Sequence, residues 1–131
     1  MIGLDTNVLV RFFGQDDELQ QKQSEELLGS LSGAEPGFVA LVALQELIWV
    51  MTSVYGFKRN RVIGVLDHLL SRNEIVVERA DTVRAALQLF RLGKADFPDC
   101  LISASARAAG CTKTVTFDRI AARDAAMELL E

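Results

Sequence analysis

The chain opens Met1-Ile2-Gly3-Leu4-Asp5-Thr6-Asn7-Val8-Leu9-Val10-Arg11-Phe12-Phe13, and this stretch sets the reading of the rest. Met1 to Leu4 has the length and apolar character of a short strand. Asp5-Thr6-Asn7 are residues that cap helices, because their side-chain oxygens accept from the free N–H groups of a first turn. Val8 to Phe13 then reads as a short helix. A strand that runs straight into an acid and a helix is the opening of a βα unit, with the acid at the carboxyl end of the strand.

The alternation continues outward from there. Asp16 to Leu31 fits an amphipathic helix with Leu19, Leu27, Leu28 and Leu31 facing inward. Glu35-Pro36-Gly37 is a turn leading to a strand near Phe38 to Leu41. Val42 to Val54 is helical and apolar nearly all round, and Lys58 to Leu70 carries Val62, Val65, Leu66, Leu69 and Leu70 at helical intervals. Glu74 to Val77 reads as a strand, and Asp81 to Leu92 as a helix capped by its aspartate. Pro98 to Ala109 is a helix with proline in its first turn and Gly110 closing it. Lys113 to Phe117 is a strand, and the tail fits either one helix or a short helix followed by an edge strand near Met127 to Leu130. Strands alternating with helices predict an α/β fold with a parallel sheet covered on both faces.

Length and composition agree with a single domain over residues 1–131. The chain is half hydrophobic with two prolines, which excludes a disordered tract. No apolar run reaches the roughly twenty residues of a membrane span, since Gln45, Glu46 and Thr52 break the longest one. The start lacks the basic and apolar regions of a signal peptide, so a cytoplasmic location and no membrane partner are expected. Cys100 and Cys111 form no CxxC pair and are expected to be core thiols. The formal charge of −4 argues against a protein held on nucleic acid by a basic surface, although Lys58, Arg59 and Arg61, then Arg91 and Lys94, then Arg119 and Arg123 lie in clusters. Each cluster alone reads as a solvated face.

The acids are the informative residues. In parallel α/β folds, ligands collect at the carboxyl ends of the strands. Asp5 follows the first strand and Asp118 the strand ending at Phe117, while Asp96 and Asp99 stand three apart at a helix start and share a face. Glu46 is the only charge between Glu35 and Lys58, on a helix where an unpaired carboxylate is costly if buried. Arg11 and Lys94 are the partners that would neutralise it. Taken singly, Asp5, Asp96, Asp99 and Asp118 have an ordinary use as helix caps. Taken together, converging acids repel unless a cation sits among them, and oxygen-only donors favour Mg²⁺ or Mn²⁺. Such ions act on phosphate esters, which points to phosphodiester hydrolysis. The single histidine, His68, sits on a helix beside Asp67 with no nucleophile assigned to it, and there is no GxxxxGK or GxGxxG loop.

The stretches LDTNVLVRFF, LQELIWVM, ADFPDCLISASARAAG and TVTFDRIAAR, in this order and spacing, resemble the PIN-domain ribonucleases, and among them the VapC-type toxins of bacterial toxin–antitoxin pairs. The resemblance implies a three-layer α/β/α sandwich with a mostly parallel central sheet, and usually a homodimer. It implies that Asp5, Glu46, Asp99 and Asp118 form an acidic quartet binding Mg²⁺ or Mn²⁺, with Asp96 as an additional acid. Thr6, Asn7 and Thr116 fall where the family places polar residues that orient the acids or meet the scissile phosphate. The implied substrate is RNA, often tRNA or ribosomal RNA, and the implied partner a cognate antitoxin. The region of Trp49, Val50, Tyr55 and Phe57 suits core packing or a partner interface. One departure is local: Asp124-Ala125-Ala126 stands where the family has a glycine-containing turn before its last strand. Two other readings differ in kind. A catalytically silent PIN-like binding module would lack one of the four acids, and none is missing. Another Mg²⁺-dependent α/β phosphohydrolase would want DxDxT after the first strand, where this chain has DTNVL.

Overall fold

The structure is a computed structural model describing all residues from Met1 to Glu131. It divides into two compact units, Met1–Glu78 and Arg79–Glu131, each considered by itself.

The first unit runs β1 (Ile2–Gly3), α1 (Thr6–Gly14), α2 (Glu18–Ser30), β2 (Gly37–Val39), α3 (Leu41–Ser53), α4 (Arg59–Ser71) and β3 (Ile75–Val77). Its strands form a parallel sheet in the order β1-β2-β3, with Ile2 opposite Gly37 and Phe38 opposite Val76. Parallel neighbours need a long crossover, and a pair of helices supplies each one here. Leu4 N–H still donates to Phe38 O at 2.9 Å, and Glu78 N–H to Val39 O at 2.9 Å, so pairing extends one residue past each short strand. The core is built from Leu9, Val39, Leu44, Leu47, Met51, Leu66 and Leu69, all fully enclosed. Gly37 leaves room for two leucine side chains that a Cβ would have to displace. A Cβ there would lie 2.8 Å from Leu31 Cδ1 and 2.9 Å from Leu4 Cδ1.

The second unit runs α5 (Ala80–Leu92), α6 (Phe97–Ala108), β4 (Val115–Thr116), α7 (Arg119–Asp124) and β5 (Glu128–Leu129). Helices α5 and α6 pack through Phe90 and Phe97, whose rings meet edge to face at 5.8 Å, the arrangement the ring quadrupole favours. Strands β4 and β5 pair in parallel, with Val115 opposite Glu128. The tail is therefore a short helix followed by a strand.

The α/β class and the parallel pairing follow the alternation in the sequence, but hydrogen bonding falls into two ladders, one in each unit. Three local expectations are corrected. Leu19 is 69 % exposed. The buried stripe of α2 passes through Ser24, Leu28 and Leu31, and Leu19, five residues before Ser24, lies about 140° around the helix from it. Asp81 does not cap α5. Arg79, in the left-handed region at φ 51°, occupies that position, and Asp81 pairs instead with Arg84 at 3.3 Å. Cys100 is buried as expected, whereas Cys111, beyond the end of α6, is exposed. No helix is long and apolar enough to cross a membrane.

Candidate active site

In the first unit, Asp5 is the N-cap of α1 and its Oδ1 accepts from Thr6 N–H at 2.9 Å. That bond reaches only the next residue, not the second or third N–H of the helix where a cap is most effective. The carboxylate is exposed at the carboxyl end of β1, and the exposed Asn7 side chain follows it in the first turn. Glu46 departs from expectation. It lies on the exposed face of α3 with Val42 and Trp49, while Ala43, Leu44, Leu47 and Ile48 face the core. The helix is apolar on both sides, so sequence alone could not tell which face water covers. A solvated carboxylate carries no burial cost, and the desolvation argument for Glu46 does not hold. Arg11, its candidate partner, is engaged with Gln20, Asp16 and Tyr55 instead.

A carboxylate that the sequence did not single out stands at the same sheet edge. Glu78, just past β3, accepts from Leu41 N–H at 2.7 Å and so caps α3 from another strand. The available signal was Ala40: a helix that starts at alanine has no side-chain cap of its own and needs an acceptor from elsewhere.

In the second unit the acids are gathered. Asp96 is the N-cap of α6, and its Oδ1 accepts from Asp99 N–H at 3.0 Å. Asp118 caps α7, its Oδ1 accepting from Ile120 N–H at 2.8 Å and Ala121 N–H at 3.0 Å. Asp118 N–H in turn donates to Thr116 Oγ1 at 3.0 Å, which gives Thr116 a defined part in holding the turn. Asp99 lies between these caps. Its carboxyl is held above the usual carboxylate range, first by partial burial, then by the charge of and a hydrogen bond with Asp96, and then by the charge of Asp118. Two neighbours of like charge disfavour ionisation, and a nearby divalent cation would reverse that preference.

All these donors are carboxylate oxygens, a set that suits a hard divalent ion. Within neither unit do three His, Cys, Asp or Glu side chains stand close enough to hold a metal as they are. His68, half-buried, contacts the rings of Phe12 and Phe13 at 5.6 and 5.5 Å, and burial holds its pKa below the usual imidazole value. It is a packing residue.

Strands ending in carboxylates, each cap beginning a helix, define a class of α/β proteins with acidic sites at the carboxyl edges of parallel strands. Within that class the chain belongs to the PIN domain family, whose model matches residues 2–126. Membership carries the α/β/α sandwich expected above, and the matched span runs through both units. A curated relative, the VapC ribonuclease of Aquifex aeolicus (strain VF5), is 29 % identical over 117 residues, covering 88 % of this chain and 86 % of that protein.

Proposed function

We propose that the chain is a metal-dependent endoribonuclease that hydrolyses RNA phosphodiester bonds, acting as the toxin of a toxin–antitoxin pair in the cytoplasm. The observation that carries this reading is Asp99, which lies beside Asp96 and within the field of Asp118, its ionisation suppressed first by partial burial and then by those neighbours. Two helix caps have no need of a third acid set between them, whereas a cation site makes use of one. The relative's name supports the ribonuclease assignment, and the family match supports its extension over one nuclease domain.

In this reading Asp5, Glu46, Asp96, Asp99 and Asp118 supply the carboxylates for Mg²⁺ or Mn²⁺. Such an ion, when bound, stabilises the charge that develops on the phosphoryl and leaving oxygens. The chain's own residues set up that chemistry. Asp96 fixes the first turn of α6, and with it the backbone of Asp99. Thr116 fixes the backbone of Asp118, and two helix N–H groups hold one carboxylate oxygen of Asp118, leaving Oδ2 for another contact. In this reading Thr6 and Asn7, in the first turn of α1 after Asp5, meet phosphate or water. The solvent-facing apolar residues Trp49 on α3 and Val54 just past its end are available to a second copy or to an antitoxin.

The test is cleavage of a mixed RNA pool with Mg²⁺ or Mn²⁺ and with EDTA, beside Asp5→Ala and Asp99→Asn. Metal-dependent cutting lost in EDTA and in both variants is expected. Equal inertness of wild type and variants, in preparations free of bound partner, would overturn the enzyme reading in favour of a binding module.

A further inference from the structure

Within the first unit, two residues beyond Asp5, helices α1 and α2 enclose a groove of about 270 Å³. Asn7 and Arg11, one turn apart on α1, face Gln20, Gln23 and Ser24 on α2, and Val8 and Leu27 add apolar contact. The lining holds amides, a guanidinium and a hydroxyl but no carboxylate. So small a polar groove, with apolar flanks, fits one planar ring with polar edges better than a helix or an extended peptide.

The committed hydrogen bonds decide what such a ring must offer. Arg11 Nε donates to Gln20 Oε1 at 2.6 Å, and its Nη1 donates to Asp16 Oδ1 at 3.1 Å and Tyr55 Oη at 3.4 Å. A guanidinium only donates, so this contact fixes the Gln20 amide with its oxygen toward Arg11. Arg11 Nη2 and Gln20 Nε2 remain, and each can only donate. The side chains of Asn7, Gln23 and Ser24 make no hydrogen bond within the protein and adapt by rotation. Two fixed donors among adaptable groups select a ligand that presents carbonyl oxygens.

We propose that this groove seats one nucleobase of the RNA beside the cut phosphodiester, and that it prefers the keto bases guanine and uracil to the amino bases adenine and cytosine. Presented by the edge that carries O6 and N7 in guanine or O4 in uracil, the keto bases meet the fixed donors, whereas on the same edge the amino groups of adenine and cytosine set donor against donor. Reading an unstacked base by its edges is how single-stranded RNA is distinguished. The inference rests on the ribonuclease reading, to which it adds a base class.

Gln20→Glu puts an acceptor in place of the free donor, keeps the shape and keeps an oxygen for Arg11. Wild type and Q20E are given RNA of randomised sequence with Mg²⁺ or Mn²⁺, and the cut ends are sequenced. Wild type is expected to favour guanine or uracil at one position beside the cut, and Q20E to lose that preference by roughly tenfold in favour of adenine or cytosine. The same pattern in both proteins, or no base preference in wild type, overturns the proposal. A metal-free NMR titration of wild type with GMP, UMP, AMP and CMP, read at the side-chain amides of Asn7, Gln20 and Gln23, separates the two claims. If no RNA is cut yet GMP and UMP shift those signals more than AMP and CMP, the base site stands and the ribonuclease reading falls. If no nucleotide moves them, the base site falls even where RNA is cut.

Discussion

In the first unit Asp5 stands in solvent with one short-range hydrogen bond, and Glu46 lies on an exposed helix face. In the second, Asp99 sits half-buried between the carboxylates of Asp96 and Asp118 and resists ionisation. Charge crowding of this kind is seen around Asp99. Acids of the first kind cost the fold nothing and can be lost without structural penalty. Acids of the second kind store repulsion that the fold tolerates and that a cation would relieve. If both kinds serve one function, removing them should affect activity alike and stability differently.

The largest expected effect breaks the comparison on the activity side. Asp99→Asn keeps the shape and removes the charge, and RNA cleavage is expected to fall by at least about 100-fold, since even outer-shell partners of a metal are worth 10–100-fold. The same variant, in EDTA at neutral pH, is expected to unfold at a denaturant concentration no lower than wild type, because a repulsive charge has gone. Cleavage close to wild type would remove Asp99 from the site. A clear drop in midpoint would mean that its charge is structural.

Next come the caps, which sharpen the contrast between units. Asp118 accepts from two helix N–H groups at the start of a six-residue helix, and so short a helix depends on its cap. Asp118→Ala is expected to cost about 1–2 kcal/mol, at the upper end for a cap. Asp5 reaches only Thr6 N–H, and Asp5→Ala is expected to cost no more than about 0.5 kcal/mol. Urea unfolding of both variants decides this, and equal costs would show that Asp5 is a working cap. Both variants are nonetheless expected to be inactive on RNA.

The pH dependence has opposite signs for acids of opposite surroundings. Asp99, raised in the folded state, binds its proton more tightly folded than unfolded. Its contribution is therefore present in acid and lost as pH rises from the usual carboxylate range through the raised value. Asp16 is the reverse. The hydroxyl of Tyr55 donates to it at 2.7 Å, and this bond above all, with Arg11 beside it, holds its carboxyl below the usual range. Its contribution is present above that range and lost as pH falls through the lowered value. Unfolding followed across this range in EDTA should show Asp99→Asn removing a decline toward neutral pH and Tyr55→Phe removing a decline toward acid. A D99N profile parallel to wild type would deny that Asp99 is crowded.

How far the sequence could lead follows from the same residues. Strand-then-acid is a local pattern, so Asp5, Asp96 and Asp118 were legible as caps at strand ends or helix starts, and the parallel class followed from the alternation. Which face of α3 meets water was not legible, because Val42 and Trp49 on the exposed face are as apolar as Leu44 and Ile48 inside. That is why Glu46 was expected to be costly and is not. Glu78 capping α3 joins residues 37 positions apart, and no local pattern announces such a bond. Nor does any mark the Arg11–Gln20 contact that fixes the donors of the α1–α2 groove.

The smallest expected effect concerns the turn where the sequence departs from its family. Ala126 has φ 55°, in the left-handed region, just before β5, at the place where the resemblance led one to expect glycine. A residue with a Cβ pays about 1–2 kcal/mol for that conformation, while glycine gives back about 0.5–1 kcal/mol in lost chain entropy. Ala126→Gly is therefore expected to stabilise the protein by about 0.5–1 kcal/mol, seen as a higher urea midpoint with an unchanged slope. Gly110 supplies the control. It holds φ 95° just past α6, its N–H donating to Arg107 O at 3.0 Å, and Gly110→Ala should destabilise by about 1 kcal/mol or more. Both turns lie in the second unit, away from its acids in sequence, so neither variant should alter cleavage. If A126G lowers the midpoint, the β4–β5 ladder draws on the rigidity of alanine in this turn, and the departure from the family is an adaptation rather than a tolerated strain.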